Sequence, residues 1–360
     1  MNDLRVLKAL GHKVNLFCLN TKKHWMDTSG FMELNHWDEF YAEEIDTNSI
    51  SAIARAAWSE NPFQIARFYK SRIEKSMDTI IQNANVDLLV YQGLAMTQYQ
   101  RSTKCKKIYR AHNLEYRVWN LLAIHKKNYF KKQINLWLSK SLYLYEKFKL
   151  RDLSCTATLS KEEKLSLKEF YSQLEIESIP ISIAKETNQN YSTEKNGLLF
   201  IGSLDWQPNR DGLDWFLKNV YPSVNHIPLT IAGKGDFTCN IENVTVISNY
   251  ENTEALLASH RMILVPLLSG AGIRIKILEA MSFGMPLIST CIGAEGIETS
   301  PGSMIIEDTV EEWISQIQNV YSQPSLLTDM SQKAKLSFKN NYSKEVVMGK
   351  WQKLLSNLSA

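Results

Sequence analysis

The residues most able to do chemistry lie between positions 265 and 298, where a loop of small residues leads into a basic segment. The loop Ser269–Gly272 would let a ligand approach the backbone closely. We expect a helix to open at Ile273, with Arg274 and Lys276 in its first turn. Cations at that end oppose the helix dipole, so an external phosphate or diphosphate would offset them. The alternative is a solvated helix start with two ordinary surface cations.

A second glycine turn, Gly202-Ser203, ends a predicted strand over 198–202. Trp206, Pro208 and Asn209 lie between this turn and a helix that we expect over 211–219. Folds with an open parallel sheet bind ligands at the turns that follow the carboxyl ends of the strands. A nicotinamide signature is not present, because the chain has no G-x-G-x-x-G motif.

A third turn, Gly233-Lys234-Gly235, follows a predicted strand over 228–232. It is either a plain tight turn or a further edge of the same binding site, with Lys234 adding positive charge.

His112 and Glu115 follow a predicted strand over 107–111, in the sequence YRAHNLEYRVW. A lone histidine after a strand is often a structural hydrogen-bonding group, and Glu115 suits the first turn of a helix. The paired glutamates of the chain are adjacent in sequence, so on helices they diverge. They are therefore not the facing acids of a glycosidase, and no D-x-D pair is present to hold a metal.

The sequence SGAGIRIKILEAM over 269–281 resembles the donor-binding motif of family 4 glycosyltransferases, retaining enzymes of GT-B fold. In that family the Arg and Lys hold the diphosphate of a nucleotide sugar, and the helix glutamate, here Glu279, holds the ribose. Many members carry another glutamate where this chain has Ala271. The chain is similar to a branch with a G-x-R-x-K-x-L-E-A-M loop, which also lacks that glutamate.

The resemblance implies transfer of a sugar from a UDP- or GDP-sugar to a glycan or lipid-linked acceptor, with retention. It implies a role in cell-surface polysaccharide or lipopolysaccharide synthesis, with no metal or other cofactor. His112, near the transferred sugar, would be catalytic together with Arg274 and Lys276. The residues implied to bind the donor are Gly202, Ser203, Gly233, Lys234, Asn249, Tyr250, Gly270, Gly272, Ile273 and Glu279.

Two other functions stay open. A GT-B nucleotide-sugar epimerase would share the architecture and would form product without any acceptor. A truncated, non-catalytic protein associated with a membrane would bind no nucleotide sugar at all.

Strands and helices alternate in both halves of the chain, which is typical of doubly wound parallel sheets. The fold class that we predict is α/β, a GT-B pair of Rossmann-like domains facing across a cleft. The N-terminal, acceptor-side domain would span 1–180 and the nucleotide-sugar-binding domain 181–342, with a polar linker from Pro180 to Asn196. A last helix within 343–360 would cross back to the N-terminal domain.

The chain begins close to a predicted helix, whereas the family opens with a strand and a glycine-rich loop before that helix. The N-terminal domain is therefore expected to lack its first strand. A start codon assigned too late would explain this better than a real truncation, since losing a central strand leaves backbone groups unpaired.

Composition is that of an ordinary globular protein of 360 residues, with a net charge of +3 and five scattered cysteines. We expect a cytoplasmic protein without disulfides. From Arg101 to Arg151, 14 lysines and arginines face only Glu115 and Glu146, with aromatic residues interleaved. This segment is either a solvated helical face or a contact with an anionic surface. The resemblance favours the inner face of the membrane, and we expect no nucleic-acid partner.

Overall fold

The computed structural model describes residues 2–22, 25, 37–99, 105–124, 126, 128–171, 174–183, 196–250 and 252–359. The chain divides into two compact units. Unit 1 is Met1–Ile181 with Val347–Ala360, and unit 2 is Ser182–Val346. Most of the predicted linker between Pro180 and Asn196 lies outside the described residues, as does the start of the basic segment at 101–104.

The strands of unit 2 are β7 (Leu198–Ile201), β8 (Leu229–Gly233), β9 (Val244–Ser248), β10 (Met262–Val265), β11 (Leu287–Ser289) and β12 (Ile305–Ile306). They form a six-stranded parallel sheet in the order β12-β11-β10-β7-β8-β9. Its helices are α8 (Gln207–Trp215), α9 (Thr253–Ser259), α10 (Ile275–Ser282), α11 (Val310–Ser322) and α12 (Pro324–Tyr342). A π-helical turn, Phe216–Val220, continues α8.

Two hydrophobic clusters cover the two faces of this sheet. Leu199 and Ile201 belong to one cluster, and Leu198 and Phe200 belong to the other. Successive residues of a strand point to opposite faces, so this division follows directly from the strand geometry. The sheet is therefore buried on both sides, which explains the continuous apolar runs in its strands.

Unit 1 begins with α1 (Asn2–Ala9), and its described residues form six strands in two sheets. The strands are β1 (Asn15–Thr21), β2 (Glu39–Ile45), β3 (Leu88–Gln92), β4 (Lys106–Arg110), β5 (Cys155–Thr158) and β6 (Ile176–Ser178). The remaining helices are α2 (Ile50–Ala57), α3 (Phe63–Ala66), α4 (Ser71–Asn83), α5 (Glu115–Ile124), α6 (Tyr129–Leu150) and α7 (Lys161–Phe170). A 3-10 helix covers Leu94–Tyr99. None of the described helices combines the length and the apolar character needed to cross a membrane.

The described strands of unit 1 pair within two sheets. β1 pairs in parallel with β2, and β3-β4-β5-β6 form the other parallel sheet. Among the described residues, no strand joins β1 to β3.

The last helix, α13 (Lys344–Ser359), packs into the core of unit 1. Its Val347, Trp351 and Leu354 are buried in one cluster with Val6 of α1 and Ile108 of β4. The guanidinium carbon of Arg110 lies 5.7 Å from the centre of the Trp351 ring. Apolar residues at a spacing of three and four therefore give this helix its buried face.

Two predicted helix starts are wrong. The helix expected over 211–219 begins at Gln207, because Pro208 is compatible with the first turn of a helix. The helix expected to open at Ile273 begins at Ile275, with Arg274 at its N-cap in an extended conformation. Arg274 is therefore the residue before the helix rather than part of its first turn.

Candidate active site

The site lies where the strand order of unit 2 changes direction. β7 pairs with both β8 and β10, and the chain moves from β7 to one edge of the sheet and then from β10 to the other. Loops that leave two such strands diverge at their carboxyl ends and open a crevice for ligands. The Gly202-Ser203 turn follows β7, and the glycine loop of Gly270 and Gly272 follows β10. Both predicted turns therefore lie at this switch point.

The turn after β7 is fixed by Asn209, a buried residue in the first turn of α8. Its Nδ2 donates to the carbonyl oxygen of Ser203 at 2.8 Å. Gly202 N donates to the carbonyl oxygen of Ala232 in β8 at 3.0 Å. The Ser203 side chain is exposed, so its hydroxyl is available to a ligand.

The loop after β10 holds Arg274. Gly270 has φ +115°, a conformation that strains other residues, and this lets the loop turn tightly. Arg274 Nη1 donates to the carbonyl oxygens of Ala271 and Gly272 at 2.5 and 2.6 Å. Its guanidinium carbon lies 5.9 Å from the centre of the Trp206 ring. The loop and the aromatic ring together fix the plane of the guanidinium.

Two donors of Arg274 remain unused. The side chain is buried, at 7% exposure, and its Nε and Nη2 have no hydrogen-bond partner within the described residues. A buried donor without a partner is unfavourable by about 1–3 kcal/mol, and more when it is charged. Burial also lowers the pKa of Arg274. Two parallel N–H groups of a guanidinium match the oxygens of a phosphate.

Lys276 reaches the same turn from α10. Its Nζ donates to the carbonyl oxygen of Ile201 at 3.1 Å and to Asn209 Oδ1 at 3.3 Å, and it lies 4.6 Å from the centre of the Phe200 ring. Burial, and secondly the charge of Arg274, lower the pKa of Lys276 to about 7. The two oxygens that accept from Lys276 Nζ belong to neutral groups. The positive charge of the lysine is therefore available to an anion.

Glu279 lies one turn of α10 beyond Lys276, on the same side of the helix. It is half-buried, and burial raises the pKa of its carboxyl group. Ile273 is also half-buried and packs against the core of unit 2. Gly272, the last residue of the glycine loop, has φ +88°.

The turn after β8 packs closely on the turn after β7. A Cβ on Gly233 would lie 1.9 Å from the carbonyl oxygen of Gly202, so a side chain cannot fit there without a shift of the backbone. Lys234 is exposed, and its carbonyl oxygen accepts the amide of Leu204 at 2.7 Å. This turn is therefore tightly joined to the Gly202-Ser203 turn.

Asn249 and Tyr250 follow β9. Asn249 has φ +54°, and its amide donates to the carbonyl oxygen of Gly233 at 2.9 Å. Tyr250 is half-buried against the core of unit 2. The backbone of this loop is therefore fixed beside the third turn.

His112 belongs to unit 1, where it follows β4. Its Nε2 lies 2.7 Å from Gln92 Oε1 at the end of β3. Gln92 Nε2 donates to Asp3 Oδ2 at 3.3 Å, and Asp3 forms an ion pair with Arg110 at 3.0 Å. Because the Gln92 amide donates to Asp3, its oxygen faces His112 and accepts the Nε2 proton. Although His112 is accessible at the surface, partial burial, and secondly Arg110, lower its pKa, so the neutral ring predominates at neutral pH.

Sequence reasoning missed several residues that fix this site. Asn209 and Trp206 were assigned only to a turn motif, and Gln92 and Asp3 carried no signal. The described residues contain no group of three or more His, Cys, Asp or Glu side chains placed to hold a metal ion.

Comparison with known proteins gives a family match within unit 2. Residues 195–323 match the family model of the glycosyl transferases group 1. A relative from Klebsiella pneumoniae, an "Uncharacterized 44.6 kDa protein in cps region", is 25% identical over 337 aligned positions, and the alignment covers 84% of this chain and 80% of the relative.

Three solved structures have the same fold. Sucrose-phosphate synthase from Thermosynechococcus elongatus has a TM-score of 0.67 at 14% identity, over 99% of this chain and 92% of that chain. A glycosyltransferase from Rickettsia africae has a TM-score of 0.67 at 16% identity, over 99% and 93%. Anabaena HepE in complex with UDP and glucose has a TM-score of 0.63 at 13% identity, over 98% and 94%.

These findings confirm the predicted α/β fold class, because the two-domain GT-B architecture is shared along almost the whole chain. The match to a group 1 glycosyltransferase domain lies within unit 2, and the chain is a glycosyltransferase.

Proposed function

We propose that this enzyme transfers a sugar from a UDP- or GDP-sugar to a glycan or lipid-linked acceptor in the synthesis of a cell-surface polysaccharide. The structures of HepE and of a TarM mutant contain UDP, and the Klebsiella relative takes its name from a cps region. Transfer to a glycan or lipid-linked acceptor would also fit the synthesis of a lipopolysaccharide. Peripheral association with the inner membrane face belongs to the same proposal.

The observation that carries the proposal is the pair of unused donors on Arg274 beside the neutral surroundings of Lys276. A diphosphate would accept hydrogen bonds from Arg274 and an ion pair from Lys276. Gly202, Ser203 and the N-terminus of α10 would supply further contacts at the same switch point. Glu279, one turn along α10, would accept from the ribose hydroxyl groups.

In the reaction, negative charge grows on the diphosphate as the bond between the sugar and the phosphate breaks. Arg274 and Lys276 would stabilise that charge in the transition state, so they would raise the rate as well as the affinity. These cations would do the work that a metal ion does in other transferases, and we propose that no metal is required. His112, kept neutral by partial burial and by Arg110 and oriented by Gln92, would hydrogen-bond the sugar undergoing transfer.

We further propose retention of the anomeric configuration, by attack of the acceptor on the face that the diphosphate leaves. The departing phosphate would then take the acceptor proton. Retention predicts that the product anomer, identified by NMR, matches the anomer of the donor, and inversion would contradict the proposal. Full turnover in EDTA is expected, and a rate restored only by added Mg²⁺ or Mn²⁺ would contradict the metal-free mechanism.

The first test is calorimetry of the full chain with UDP and with GDP. Arg274→Gln should weaken binding of the preferred nucleotide at least tenfold and lower turnover of the matching sugar donor by about 10²–10³. Lys218→Gln is the matched control, because Lys218 is an exposed cation of the same unit on the π-helical turn after α8. Equal affinity in the Arg274 variant and the wild type would overturn the proposal.

The alternatives give different results in this experiment. An epimerase would convert the sugar of the donor in the absence of any acceptor. A non-catalytic protein would bind neither nucleotide and turn over no donor. Either result would contradict glycosyl transfer.

A further inference from the structure

The solvent-facing side of α6 carries a stripe of large apolar side chains. Phe130, Trp137 and Phe148 are 76%, 65% and 63% exposed, and Ile134 and Leu144 between them are 55% and 54% exposed. These residues recur at spacings of three, four and seven, so they lie along one side of the helix. Three neighbouring residues add exposed apolar surface near its start: Leu122, Ile124 and Tyr129.

This stripe is separate from the core-facing side of the same helix. Leu142, Tyr145 and Leu150 of α6 are buried in the hydrophobic cluster of unit 1 that contains Tyr109 and Leu114. The helix therefore already has a buried apolar side, and the stripe is additional to it. An exposed apolar stripe of this kind marks an interaction site.

The charged residues of α6 that flank the stripe are lysines. Lys131 and Lys140 are exposed, and at about 100° of rotation per residue they fall on opposite flanks of the stripe. Lys147 and Lys149, both half-buried, fall on the same two flanks further along the helix. The one carboxylate of α6, Glu146, is buried at 1% exposure. The exposed side of α6 thus combines an apolar centre with cationic flanks and no acid.

We propose that α6 is a membrane-docking helix, which lies in the plane of an anionic leaflet with Phe130, Trp137 and Phe148 among the lipid chains. An apolar strip flanked by lysines is the pattern of interfacial helices, and the lysines meet anionic headgroups at the level of the surface. The 22 residues of α6 would extend about 33 Å along the membrane.

Two other occupants fit the surface less well. A second copy of the chain would bring lysine flanks against lysine flanks, with no exposed acid on α6 to offset them. A nucleic acid would need cations along the centre of the contact, where this helix presents Ile134, Trp137 and Leu144. The membrane-docking helix rests on the proposed function and adds a lipid surface to it. Binding of the chain to lipid can nevertheless be measured without any sugar donor.

The test is flotation of the full chain with vesicles of phosphatidylglycerol and phosphatidylcholine. We expect it to float with these vesicles and to bind vesicles of phosphatidylcholine alone about tenfold or more weakly, since each lysine near an anionic surface contributes measurably. Trp137→Ser combined with Phe148→Ser should reduce binding to both vesicle types. Trp58→Ser is the matched control, because Trp58 is 91% exposed in the same unit but lies outside the stripe.

A second pair of variants separates the charges from the apolar stripe. Lys131→Gln with Lys140→Gln should weaken binding to the anionic vesicles about tenfold and leave the thermal stability unchanged. Lys75→Gln with Lys168→Gln removes two exposed lysines elsewhere in unit 1 and should have no effect on vesicle binding.

Equal flotation of the wild type and the Trp137/Phe148 variant would overturn the proposal. So would a dimer in light scattering that the same variant dissociates, or a DNA complex with no vesicle binding. Vesicle binding by a chain that turns over no donor would support the docking helix and contradict only the proposed transferase activity.

Discussion

Lys276 Nζ lies 3.3 Å from the amide oxygen of Asn209, and this contact joins the helix after the glycine loop to the helix after β7. The same amide donates through Nδ2 to the carbonyl oxygen of Ser203 at 2.8 Å. One neutral side chain therefore orients the lysine and fixes the glycine turn at once. Because the amide is neutral, it leaves the lysine charge available for a ligand.

We predict that Asn209→Asp weakens binding of UDP or GDP by about tenfold or more. A carboxylate at this position would pair with Lys276 and compete with the diphosphate, and it would repel the ligand. The same variant would lose the hydrogen bond to Ser203. Asn209→Ser, which removes the amide without adding charge, should bind more tightly than Asn209→Asp in calorimetry. The reverse order would contradict a direct contact between Lys276 and an anion.

A second prediction concerns the uptake of protons when the nucleotide binds. With a pKa of about 7, Lys276 is only partly charged at neutral pH, and a bound diphosphate would raise that pKa. Nucleotide binding should therefore take up protons, and affinity should fall as the pH rises above about 7. Calorimetry in buffers of different ionisation enthalpy measures this uptake directly. Lys276→Met should bind weakly and show no uptake from this group, whereas the Lys218→Gln control should behave as the wild type.

A large part of this site could be predicted because it follows from local patterns. Glycine turns after two buried strands, in a region where strands and helices alternate, indicate the carboxyl edge of a parallel sheet. The structure places both turns at the switch point between β7 and β10. The residue types of Arg274 and Lys276 then indicated an anion.

The remaining features depend on contacts between distant parts of the chain. Asn209 and Lys276 are 67 residues apart, and Gln92 and Asp3 are 89 apart, so no local spacing could pair them. The strand β2 was not predicted, because its sequence EFYAEEI is acidic and its residues are mostly half-buried. The predicted start of α10 was wrong because apolar periodicity in a sequence does not reveal that Arg274 is an extended N-cap residue.

The third prediction tests the contact between the turns after β7 and β8. Gly233→Ala should lower the free energy of unfolding by about 1–3 kcal/mol, because its Cβ would overlap the carbonyl oxygen of Gly202. It should also displace the Gly202-Ser203 turn and weaken nucleotide binding. Gly349→Ala is the control, since its Cβ meets nothing within 4 Å in the helix α13. That variant should gain about 0.5–1 kcal/mol, and denaturant titration of both compares them.

The fourth prediction concerns Gln92, which we infer to be a positioning residue for His112. Gln92→Met should lower the kcat of the transferase without changing its affinity for the nucleotide, because the imidazole loses the acceptor that orients it. Gln92→Glu should instead raise the pKa of His112 by about 1 unit or more, through a carboxylate at the Nε2 position. NMR titration of the His112 ring measures that shift, and His112→Gln identifies its resonance. An unchanged pKa would show that the 2.7 Å contact does not form in solution.

The last prediction concerns Glu146, which lies on the buried side of α6. Its Oε1 accepts from the Tyr109 hydroxyl at 3.5 Å, and its Oε2 has no hydrogen-bond partner within the described residues. Burial, and secondly the charge of Glu115, raise the pKa of Glu146 from 4.5 to about 8. The folded protein therefore holds a proton that the unfolded chain has lost. This stability is fully present below about pH 4.5 and is lost as the pH rises through about 8.

Glu146→Gln should remove this dependence. Between about pH 5 and pH 9 the wild type should lose roughly 2–4 kcal/mol more stability than the variant, which keeps an uncharged amide throughout. Urea titration of both proteins across this range measures the difference. Glu162→Gln changes an exposed carboxylate of α7 and should follow the wild type at every pH. Parallel curves for wild type and Glu146→Gln would mean that Glu146 is ionised in the folded protein, with water or a cation reaching the space between α6 and β4.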